Sequence, residues 1–155
     1  MKEAYHTMGP KFTLGWMAEA LYSSKNFSEN YTATMMQAGE FAPTPHSKLM
    51  YNEAFRANQY VAAGIKPIYV LNDMFQFRTE FYGFTPIFPI KKNALNKAYY
   101  GKAFSRFEYI GEVSIICHLP FGAISAYVNH YSSPRKEWNV GMTIGWQLFN
   151  YRFVE

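Results

Sequence analysis

The stretch Trp138–Glu155, WNVGMTIGWQLFNYRFVE, alternates without a slip as far as Leu148. Trp138, Val140, Met142, Ile144, Trp146 and Leu148 fall on one face. Asn139, Gly141, Thr143, Gly145 and Gln147 fall on the other. Strict period two marks a β-strand with unlike faces. At about eleven residues it is roughly twice the usual length in soluble domains. Its second face is small and polar but uncharged, so the large apolar face needs an extensive apolar surface to meet.

The same alternation recurs upstream. It predicts strands at about 11–23, 30–37, 58–70, 75–87, 106–118, 121–131 and 138–149. The segment NEAFRANQYVAAG passes as a short helix but runs into IKPIYVL, which breaks a helical period. The expected fold is therefore all-β, an antiparallel meander of about seven long strands. Connections alternate in length. SKNFSEN, LNDM and LPFG are short; QAGEFAPTPHSKLMYNEAF and PIKKNALNKAYYGKAFS are long; SSPRKE is intermediate. Short turns on one side and long loops on the other are the habit of a membrane barrel.

Composition narrows the classes. Of 155 residues, 19% are aromatic and only 17% charged, thin in charge for a soluble domain. A net charge of +4 comes without a basic cluster interleaved with stacking aromatics, so no nucleic-acid module is read. The single Cys117 excludes a disulfide framework and a Cys-rich metal site. The histidines His6, His46, His118 and His130 lack ligand spacing, so no metal is expected. No apolar window is long enough for a transmembrane helix, and MKEAYHTMGP has no signal-peptide core. A soluble cytoplasmic protein and a fragment lacking its natural beginning are both compatible with that start.

A soluble sandwich with one packed and one solvated face remains the plain alternative to a barrel. Three features favour the barrel. The strands suit the 9–11 residues a tilted strand needs to cross a bilayer. Phe12, Tyr22, Phe75, Phe107 and Trp138 stand toward strand ends, as in interfacial girdles. Glu19, Arg78, Glu80 and Glu112 all share the polar face. Bacterial single-chain barrels have even strand numbers of eight or more, so about seven strands would be part of a larger barrel.

Several stretches together resemble one family: KFTLGWMAEALYSSKNFSENYTAT, FAPTPHSKLMYNEAFRANQYVAAGI, FQFRTEFYGFTP, AYYGKAFSRFEYIGEVSI and LPFGAISAYVNHYSSPRKEWNVGMTIGWQLFN. In this order they resemble the C-terminal surface-antigen-type outer-membrane barrel of gram-negative patatin-like phospholipases. The resemblance spans residues 9 to 152. It implies a barrel of about sixteen strands, with this chain supplying the last ones and the first strands lying elsewhere in the parent protein. It implies a location in the bacterial outer membrane, with membrane lipid and the insertion machinery as partners, and no cofactor. It also implies a long loop folded into the lumen, whose arginine meets an acidic wall residue. The positions that correspond are Arg56, in Phe55-Arg56-Ala57-Asn58, and Glu80; the local alternative pairs Glu80 with Arg78. The insertion signal implied by the resemblance maps to Asn139, Gly141, Ile144, Trp146 and Phe149.

Lipase chemistry does not transfer to these residues. No G-x-S-x-G occurs, and the one Asp, Asp73, lies in a tight turn. No catalytic residue and no patatin domain is expected within the chain, which is read as not itself an enzyme. Three functions stay open: the outer-membrane anchor or translocator of a lipid acyl hydrolase, part of a non-enzymatic assembly or secretion barrel, and a soluble β-barrel binder. Lys91, Lys92, Lys97, Lys102 and Arg106 surround one expected outer loop. They suit either lipopolysaccharide phosphates or plain solvation.

Overall fold

The computed structural model describes residues 1–133 and 138–146, with backbone only at Trp146. Its strands are β1 (Lys2–Thr7), β2 (Phe12–Tyr22), β3 (Gly39–Glu40), β4 (Arg56–Ala57), β5 (Gln59–Val70), β6 (Phe75–Pro86), β7 (Ile90–Lys92), β8 (Ala98–Tyr100), β9 (Glu108–Leu119), β10 (Gly122–Tyr131) and β11 (Trp138–Trp146). One helix, α1, covers Tyr31–Gln37. Seven strands form one antiparallel meander in the order β1-β2-β5-β6-β9-β10-β11. The pairs β3–β4 and β7–β8 are small separate ribbons. No helix among the described residues is long and apolar enough to cross a membrane.

Six of the main strands lie where alternation places them, β11 as far as Trp146. The expected end of that strand at 149 lies outside the described residues. The expected strand at 30–37 is wrong. That segment is α1, capped by Asn30, whose side chain accepts from the Ala33 amide at 2.8 Å. Tyr31, Met35 and Ala38 recur at helical spacing and pack beside Ile90. The strand that replaces this segment in the count is β1, where no apolar alternation exists. Its inward residues hold it instead: Lys66 of β5 reaches over β2 to pair with Glu3, and the Tyr5 ring lies over Gly15.

The two faces of the sheet are inverted relative to a soluble domain. From β2 to β11 the exposed face carries Trp16, Val61, Ile65, Tyr69, Phe75, Phe77, Phe81, Val113, Ile115, Val128, Val140, Met142 and Ile144. No Asp, Glu, Lys or Arg stands on that face of those strands among the described residues. Cross-strand register sorts it into rows. Leu14, Pro67, Thr79, Val113, Val128 and Val140 form a middle row with one aliphatic or small residue per strand. Trp16, Phe81, His130 and Trp138 lie in the row toward the long connections. Phe12, Tyr69 and Phe77 lie in the row toward the tight turns.

The opposite face carries the charges and is covered. Residues 23–58 leave β2, fold across it and return to β5, with the Ser23 amide donating to the Asn58 carbonyl at 2.8 Å. Phe41 stacks on Phe84 at 5.7 Å and meets Tyr60 and Tyr82 edge-on. Phe55 lies against Phe84 and Tyr131. Burying each such ring contributes about 2–3 kcal/mol before ordering costs. The molecule's main apolar core is thus between the sheet's polar face and its own connection.

Candidate functional site

The covered face is the place where chemistry-bearing side chains converge. Register sets its central row: Gly15 pairs with Tyr5 and Lys66, Glu80 faces Glu112, and Asn129 joins Glu112 to Asn139. Like charges directly opposite one another are unfavourable unless offset. Arg78 supplies the offset for Glu80, with Nε 2.7 Å from Oε1. The Tyr82 hydroxyl donates to the other Glu80 oxygen at 2.5 Å. Lys66 holds Glu3 and lies 5.8 Å from the Tyr82 ring centre. Arg106 pairs with Glu108 at 2.6 Å, and Tyr60 donates to Glu19 at 2.5 Å.

Arg56 and Glu80 are not brought together. Arg56 Nη2 meets Glu40 Oε2 at 2.6 Å, while Nη1 donates to the carbonyls of Met35, Met36 and Ala38. A guanidinium at the carbonyl end of a helix satisfies acceptors the helix leaves over. Arg56 therefore ties α1 to the β3–β4 ribbon, inside the covering segment. Glu80 takes the local partner, Arg78. The sequence reading missed Glu40, which stands in no alternating run, and Lys66, whose partner lies in the unrecognised β1.

Three tyrosine rings lie over glycines directly across the ladder: Tyr5 over Gly15, Tyr82 over Gly64 and Tyr127 over Gly141. A Cβ at Gly15 would stand 2.7 Å from the Tyr5 ring, and at Gly64 or Gly141 closer still to its tyrosine. Gly141 belongs to the expected insertion signal, and Tyr127 is a structural reason for it. Asn139 is half-buried on the covered face and Ile144 is exposed on the apolar one. Trp146 pairs with Gly122 through the backbone, and Phe149 lies outside the described residues.

The covering segment meets the far strands through His46. Its Nδ1 is 2.9 Å from the Tyr131 hydroxyl, and its ring leans on Tyr127 and Tyr131. Burial holds the imidazole below its ordinary titration range. The unfolded or undocked chain therefore takes up the proton first. The His46 contribution is complete above about pH 6.5 and is lost as pH falls through the lower, docked value. Proteolysis within 23–58 should accelerate as pH drops below about 6.5, and His46→Phe should flatten that response. Equal acceleration in the variant would remove His46 as its cause.

Among the described residues no group of three or more His, Cys, Asp or Glu side chains could hold a metal ion. No family model matches the chain, and no curated protein or solved structure does either.

Proposed function

We propose that this chain is part of the wall of an outer-membrane β-barrel that anchors a lipid acyl hydrolase. One observation carries the membrane part: a charge-free apolar face is exposed while the charged face is covered by the chain's own connection. A soluble sheet has the opposite arrangement. Dimensions agree with that reading. The exposed alternation from Phe107 to Cys117 spans about 33 Å at about 3.3 Å per residue. With a barrel-like tilt of about 40° it rises about 25 Å, the height of an outward apolar band. Long connections all leave from one end of the sheet and tight turns from the other, as the element order requires.

The sheet's two edges, on β1 and β11, need partners in lipid, because unpaired backbone groups are not tolerated there. In this reading further strands of the parent protein supply them. The hydrolase part rests on the resemblance in the five stretches above, and its nucleophile belongs to residues outside this chain. The test is fractionation of the full-length protein with gel mobility compared before and after heating. An outer-membrane band whose mobility changes on heating, with acyl-ester hydrolysis in the same fraction, is the expected result. Recovery in the soluble fraction sinks the membrane reading; a membrane band without hydrolysis leaves only the barrel.

A further inference from the structure

Carboxylates on the covered face come with partners, and one is left over. Glu3 has Lys66, Glu40 has Arg56, Glu80 has Arg78 and Glu108 has Arg106. Glu19 is exposed enough to keep water and takes the Tyr60 hydroxyl. Glu112 is 4% exposed, and among the described residues no ammonium or guanidinium lies within 4.0 Å of it. Its direct neighbour across the ladder is another carboxylate, Glu80. Arg78 acts on Glu112 only from a longer range. An isolated carboxylate buried this way is strongly disfavoured and must gain a counter-charge or a proton.

A second observation separates those two outcomes. Asn129 is fully buried beside Glu112, and its amide nitrogen donates to Glu112 Oε2 at 3.4 Å. Among the described residues its buried carbonyl Oδ1 has no hydrogen-bond partner. A proton on Glu112 would settle the charge, with its O–H directed to Glu80, yet would leave Oδ1 unsatisfied. A cation settles both, since a carboxylate and an amide carbonyl are the oxygen ligands hard cations prefer. The Thr44 hydroxyl of the covering segment is engaged within its own turn, donating to Ser47 Oγ at 3.1 Å and accepting from the Ser47 amide. Glu80, Glu112 and Arg78 together carry one net negative charge, which a monovalent ion cancels.

We propose that the Glu112 carboxylate and Asn129 Oδ1 bind a small hard monovalent cation of the sodium class on the covered face, beneath the covering segment. This site does not depend on what the exposed face meets. The experiment uses the full-length protein in detergent, with thermal unfolding and proteolysis of residues 23–58 followed in sodium, potassium or choline chloride at equal ionic strength. Sodium should raise the midpoint over choline by about 3–5 °C and slow cleavage. Glu112→Gln should fold in choline and lose the sodium increment. Asn129→Ala should shift the sodium dependence to roughly tenfold higher concentration, about one ligand's worth. A wild-type midpoint identical in sodium and choline overturns the proposal and assigns a proton to Glu112. So does a sodium increment that survives in Glu112→Gln. If neither variant folds, the wild-type titration decides alone.

Discussion

Replacing Gly64 with valine should destabilise the folded form by about 1–5 kcal/mol. The Tyr82 ring occupies the space a Cβ would need, directly across the β5–β6 ladder. Tyr82 is fully buried beneath Phe41 and holds Glu80, so it has nowhere to turn. Overpacking of this kind costs about 1–3 kcal/mol, and displacing the ring also releases its bond to a buried carboxylate, about 1–3 kcal/mol more. The strand preference of valine returns about 1 kcal/mol at most. Gly111→Ala is the control, because open space lies above that residue. Heat-dependent gel mobility or far-ultraviolet dichroism reads both. Equal stability of Gly64→Val and wild type would mean that the Tyr82 ring does not sit on this glycine.

The second large effect concerns Val113, in the middle row of the exposed face and 42% exposed. In water, Val113→Arg is an ordinary surface change, within about 0.5 kcal/mol of neutral. At a bilayer midplane it costs about 2–4 kcal/mol. Insertion into vesicles from denaturant should then fall by roughly 30- to 900-fold in equilibrium terms. Thr143→Arg, on the polar face of β11, should have a far smaller effect because that side chain does not point to hydrocarbon. If Val113→Arg inserts like the wild type, the exposed face does not meet lipid.

What the sequence made legible follows from where information is local. Alternation is local, so β2, β5, β6, β9, β10 and the described part of β11 were readable, and with them the two unlike faces. The pairing of β1 is not local. Its hold on the sheet comes from Lys66 and Gly15, and nothing in KEAYHT announces either. In α1 the Asn30 cap is a local signal carried by the sequence, and it marks a helix start rather than a strand. The identity of the charged residues on the covered face was readable from period two. Their partners were not, because Arg56 sits in a segment whose path depends on burying Phe41 and Phe55. Gly141 stood out as part of a terminal pattern; only the register with Tyr127 gives it a steric role.

The meander has one more consequence, a matter of direction. Its seven strands run alternately, so β1 and β11 point the same way. A wholly antiparallel closed sheet therefore requires an odd number of additional strands between those edges. A copy of this sheet brings seven, which satisfies the count, but only when turned end over end. The long connections of the two copies would then open at opposite rims. An assembly that keeps every long connection on one rim cannot be built antiparallel from two such sheets, and its missing strands must come from a segment with a different layout.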